Sequence, residues 1–158
     1  YPGQDFRVTY AEGIFVGYRG FDKKHVEPLF PFGHGLTYTK FDYQGLKLEN
    51  GNPKLGQPVI LNFDVKNIGL RPGTEVVQLY VHDVVSSLER PAKELKGFAR
   101  VSLKPGEVKN VSFTLDQAAM SFYDPQKQQW VVEPGVFEVL VGASSRDIRL
   151  RSTFELMR

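Results

Sequence analysis

The sequence predicts an all-β fold, an antiparallel β-sandwich preceded by an extended N-terminal arm. Three observations carry that prediction. Apolar and polar residues alternate with a period of two from about Phe41 onward, Pro-Gly turns separate the alternating runs, and residues 1–39 lack this periodicity while being dense in glycine and aromatics. No long stretch sustains the apolar spacing of three and four that a helix would show.

The strands follow in order. Val59, Leu61, Phe63 and Val65 alternate with Ile60, Asn62, Asp64 and Lys66, giving one apolar and one mostly polar face. Val77, Leu79 and Val81 repeat the pattern, and Leu95–Leu103 is a less regular run. Val111, Phe113 and Leu115 alternate with Asn110, Ser112 and Thr114, and Phe137, Val139 and Val141 with Glu138 and Leu140. The last run sets Ile148, Leu150, Ser152, Phe154 and Leu156 against Arg149, Arg151, Thr153 and Glu155. Turns are expected at Arg71-Pro72-Gly73, Lys104-Pro105-Gly106 and Glu133-Pro134-Gly135, where Pro presets φ and Gly accepts a positive φ at the next position. Asp116–Ser121 is expected to form one short turn. Several short strands, each sheet needing cover for its apolar face, point to an immunoglobulin/fibronectin type III-like sandwich over residues 40–158.

Composition narrows the function. The 158 residues hold 20 Lys and Arg against 18 Asp and Glu, a net charge of +2, with no electrostatic footprint for nucleic acid or anionic lipid. Cysteine is absent, so disulfides and thiolate chemistry are excluded. No apolar run reaches the ~20 residues needed to span a bilayer. The chain starts at Tyr1 rather than Met, and it is expected to be part of something larger.

Residues 1–39 form the arm. Its aromatics include Tyr1, Phe6, Tyr10, Phe15, Tyr18, Phe21, Phe30, Phe32 and Tyr38. So much apolar surface on irregular backbone should pack against a surface, and an upstream domain is the natural candidate. Phe15, Tyr18, Arg19, Phe21, Asp22, Phe30 and Phe32 are the expected docking residues, with Arg19 and Asp22 placed for a buried ion pair.

Chemistry finds few footholds. His25, His34 and His82 match no metal-ligand spacing, and no metal or cofactor is expected. His82 reads as solvated or hydrogen-bonded on the polar face, and His34, between Gly33 and Gly35, as part of a tight turn with its ring bonded to backbone. Ser86, Ser87, Ser144 and Ser145 lie in no strand-to-helix elbow. Glycoside hydrolysis needs two carboxylates at a fixed separation, yet Asp64, Glu138 and Glu155 alternate with core residues as solvated side chains do. Tyr80, Tyr123 and Trp130 are weak candidates for contact with a polymer, Trp130 reading more readily as core or hairpin packing. Asn110-Val111-Ser112 fits the N-glycosylation acceptor pattern on the outward face.

Two linked strings then become informative. Tyr10-Ala-Glu-Gly-Ile-Phe-Val-Gly-Tyr-Arg-Gly-Phe-Asp22 followed by Pro28-Leu-Phe-Pro-Phe-Gly-His-Gly-Leu-Thr-Tyr-Thr39 resembles the C-terminal region of glycoside hydrolase family 3 β-glucosidases. Val77–Val81, Arg90–Phe98, Leu103–Glu107 and Glu133–Ser145 continue the likeness over nearly the whole chain. The resemblance implies a linker arm plus a fibronectin type III-like domain. It also implies a catalytic barrel with an Asp nucleophile in Ser-Asp-Trp, and an α/β sandwich supplying a Glu acid/base, both upstream. No Ser-Asp-Trp occurs here, the only Trp following Gln129, so no catalytic residue is carried over. Gly20 departs from the aromatic that many relatives have there, which is expected to loosen packing against the second domain.

The expected function is therefore non-catalytic. The chain stabilises and positions the barrel and α/β domains of a retaining β-glucosidase acting on terminal β-D-glucosyl residues. The competing expectations are a module binding polysaccharide or another plant polymer, and a homodimerisation element using a sheet edge or the Ser86–Pro91 loop. A periplasmic or secreted location is favoured over the cytoplasm, though the lack of Cys permits either.

Overall fold

Alternating side chains drive the chain into strands, and the computed structural model describes residues 3–158 of it. Tyr1 lies outside the described residues. In order the elements are α1 (Tyr18–Lys23), β1 (Phe41–Leu48), β2 (Val59–Asn67), β3 (Gly73–Asp83), β4 (Glu94–Leu103) and β5 (Val108–Leu115). There follow α2 (Gln117–Met120), β6 (Phe122–Asp124), β7 (Gln129–Val131), β8 (Gly135–Gly142) and β9 (Ile148–Leu156). One sheet has the order β1-β2-β5, the other β4-β3-β8-β9, and β6-β7 form a separate hairpin, all pairs antiparallel.

The core lies between the two sheets, as the period-two pattern requires. Val59, Leu61, Phe63 and Val65 of β2 face Val77, Leu79 and Val81 of β3 and Phe137, Val139 and Val141 of β8 in one buried cluster. Tyr43 stacks towards Phe63, and Phe137 on Phe154. Strand β4 is irregular because its register with β3 shifts between Leu79 and Tyr80. Asp64 and Glu155 are exposed, as is the acceptor pair Asn110 and Ser112, while Glu138 pairs with Arg151 at 3.0 Å.

The turns divide by mechanism. Gly106 has φ +77° and Glu107 N donates to Lys104 O at 3.0 Å, the expected turn. Gly73 instead has an ordinary φ, and glycine is needed there because a Cβ would strike the Thr39 side chain, where the arm crosses the β2–β3 turn. Asn67, fully buried, ties that crossing. Its Oδ1 accepts from Thr39 Oγ1 at 2.6 Å and its Nδ2 donates to Arg71 O and Leu103 O.

Two features depart from expectation. The helix α1 was not legible, since six residues are too few for a 3.6 periodicity and no side chain caps its start. His82 is of intermediate exposure, but its Nδ1 is buried with no hydrogen-bond partner among the described residues. The short α2 does fall inside Asp116–Ser121, started by Asp116 accepting from Ala119 N at 2.8 Å.

Candidate docking surface

Strand β3 is buried on both faces from Val77 to Val81. Tyr80 is 0% exposed and its register partner Leu140 is buried, yet both stand opposite the intersheet core in the alternation. The arm covers Tyr80. Tyr18 meets Tyr80 edge to face with ring centroids 5.8 Å apart and stacks on Phe32 at 5.1 Å. Tyr80 is therefore no polymer-contact residue. Its hydroxyl donates to Gln78 Oε1, and burial raises its pKa far above the ordinary phenol value.

Polar contacts fix the arm in register. Leu95 N of β4 donates to Tyr18 Oη at 2.8 Å, and Ser145 N to Phe32 O at 2.9 Å. Gln78 Nε2 donates to Ala143 O at 2.9 Å and to Gly33 O at 3.4 Å. Asp22 is clamped between Lys93 Nζ and Arg146, whose Nη2 lies 3.4 Å away. The expected Arg19–Asp22 pair does not form, because a six-residue helix turns Asp22 towards the sheet while Arg19 reaches Glu94 at 3.9 Å. Glu27 pairs with Arg146 at 3.6 Å and is largely exposed.

The Arg90–Phe98 motif is the receiver for the arm. Arg90 donates to Asp83 at 2.9 Å, to Glu94 at 2.7 Å and to Met120 O at 3.2 Å, while Lys96 also reaches Glu94 at 3.0 Å. Burial opposes charge on Glu94, but its bonds from Lys96 and Arg90 outweigh that and hold its pKa below the ordinary value of 4.5. A depressed carboxylate stabilises the fold above its unfolded pKa, and that stability is lost as pH falls through the folded value. Glu94→Gln should therefore flatten the acid limb of a midpoint-against-pH curve below about pH 4.5. An unchanged acid limb would contradict this.

Glycines permit the close approaches. A Cβ on Gly33 would strike the Gln78 amide, and its φ is +81°. Gly33→Ala should cost about 2 kcal/mol, read by urea unfolding. Gly20 is buried and lets the Phe15 carbonyl approach where a Cβ would collide.

With Tyr18 and Asp22 turned inward, other side chains face out. Phe21 is 41% exposed, Phe32 48% and Phe30 69%, and Leu29, Leu36 and Tyr38 are exposed at or above 90%. Phe15 is half-buried, with Lys23 Nζ 3.7 Å above its ring. Phe15, Val16, Phe21 and Val26 line a hollow of about 460 Å³. His34 turns back by N to Pro31 O at 2.9 Å, but its ring stacks on Phe30 and makes no bond to backbone among the described residues. At the β6–β7 hairpin Tyr123 and Trp130 form an exposed edge-to-face pair, so Trp130 packs in a hairpin and not in the core. No group of three or more His, Asp or Glu side chains converges on a metal-sized site among the described residues.

Known proteins place this architecture. A model of the fibronectin type III-like domain matches residues 75–145. Thermostable β-glucosidase B of Acetivibrio thermocellus is 52% identical over 153 residues, 97% of this chain and 20% of its own length. The crystal structure of a Bifidobacterium adolescentis GH3 β-glucosidase superposes with a TM-score of 0.92 at 36% identity, over 99% of this chain and 23% of that one. β-Glucosidase 3B from Thermotoga neapolitana, solved with α-D-glucose, gives 0.91 at 36% identity over 100% and 22%. The chain thus spans about a fifth of the length of the curated relatives it matches. It belongs to the fibronectin type III-like domains of the family 3 β-glucosidases.

Proposed function

We propose that this chain is the non-catalytic brace of a longer, retaining β-glucosidase acting on terminal β-D-glucosyl residues. Its partners are that enzyme's catalytic barrel and α/β sandwich. One observation carries the reading: the arm is fastened to its own sheet by Tyr18, Asp22 and Gln78, yet leaves Phe30, Leu36 and Tyr38 facing outward. Apolar surface held on a fixed scaffold favours burial at ~25 cal/mol per Å², so a few hundred Å² would hold neighbouring domains in place. Misplacing a catalytic group by ~1 Å costs ~100-fold in rate, which is how a remote brace reaches turnover.

In the complete enzyme, Phe30→Asp with Leu36→Asp should lower the melting midpoint by several degrees and reduce kcat together. Unchanged midpoint and kcat would sink the reading. The exposed Tyr123–Trp130 pair favours a second one, adhesion to insoluble polysaccharide. Retention of the enzyme on such polymer, lost in Trp130→Ala, is its test.

A further inference from the structure

We infer that the cleft between the end of the arm and the four-stranded sheet receives a lysine or arginine side chain from another part of a longer protein, seated against Glu75. The inference rests on the bracing reading above. The cleft encloses about 750 Å³. Its lining combines exposed apolar side chains, Leu36, Ile68 and Val76, with the polar residues Lys40, Glu75, Gln78, Asp147 and Arg149, of which Lys40 makes no ion pair with Glu75.

Most of those polar groups are already engaged. Gln78 serves Gly33, Ala143 and Tyr80. Arg149 gives Nε and Nη2 to Asp147 and Nη1 to Phe41 O. Glu75 differs. It is only 9% exposed, and its Oε1 accepts from Tyr43 Oη at 3.0 Å. Its Oε2 accepts no hydrogen bond, and no Lys or Arg lies within ion-pair distance of it, among the described residues; this oxygen is not one of the fully buried atoms left without a partner, so it keeps contact with solvent. Burial pushes this carboxyl above its ordinary range, although Tyr43 and Arg149 pull it down.

A carboxylate taken out of water needs a cation or several donors, and one left unpaired is costly. Lys and Arg offer both kinds of surface that the lining presents, an apolar stem for Leu36, Ile68 and Val76 and a charged head for Glu75. An acidic or wholly apolar segment would leave Glu75 unpaired. Since the chain spans about a fifth of its curated relatives' length, most of a longer protein is available to supply the cation.

The test is a structure of the complete protein combined with thermal unfolding of its E75Q variant, which keeps an oxygen for Tyr43 but carries no charge. The expected result is an ammonium or guanidinium nitrogen from outside residues 1–158 about 3 Å from the Glu75 carboxylate, and a melting midpoint lowered by several degrees in E75Q. A cleft holding only solvent, or an apolar or acidic segment, overturns the inference. So does an E75Q midpoint that is unchanged or raised, the result that relief of an unpaired buried carboxylate would give. The same map separates the two failures: an arm packed on other domains beside an open cleft refutes the cation alone, whereas an arm facing water refutes the brace as well.

Discussion

Tyr18→Ala should destabilise this chain by about 3–4 kcal/mol, and the reason is that one ring closes three contacts. The ring covers Tyr80, stacks on Phe32, and carries the oxygen that accepts Leu95 N. Truncation removes apolar contact, uncovers the otherwise buried Tyr80 ring and leaves the β4 amide without its protein acceptor. Tyr18→Phe separates these causes, since it keeps the packing and loses only the hydrogen bond, at about 1 kcal/mol. Urea unfolding of the three proteins gives the comparison. Equal losses for Ala and Phe would mean that packing over Tyr80 contributes nothing.

Asp22→Ala is the second large effect, about 3 kcal/mol. The Asp22 side chain is 7% exposed and the Lys93 side chain 12%, so neither charge is well solvated once the other is removed. Arg146, a third exposed, can turn to water and lessens the penalty. The double variant Asp22→Ala with Lys93→Met should therefore recover much of the loss, because it removes the stranded cation and keeps the stem. A double variant as unstable as Asp22→Ala alone would show that the clamp acts by its geometry and not by paired charge.

The sandwich was legible because its residues obey one rule. Val59 to Val65, Phe137 to Val141 and the Gly106 turn each follow from alternation or a required backbone angle, and the structure places them accordingly. The docking surface was legible only in part. Tyr80 alternates like a solvated residue of β3, and nothing local shows that a segment sixty residues upstream will cover it. Asp22 reads as a partner for the nearby Arg19, whereas its cations come from Lys93 and Arg146, joined by tertiary folding alone. The string Arg90–Phe98 stood out by resemblance without a mechanism, and Arg90 bonded to both Asp83 and Glu94 supplies one. Glu75 gave no signal, since a carboxyl in a strand reads as surface until its depth is known.

The hydrogen bond from Leu95 N to Tyr18 also bears on colloidal behaviour. Strand β4 is an outer strand of its sheet, and a free rim of amides there would be a template for another chain to add on. The Tyr18 hydroxyl occupies one of those amides, and Lys93, Glu94 and Lys96 crowd the same rim with charge. The arm thus covers part of that rim, and lifting it should make strand addition along β4 easier.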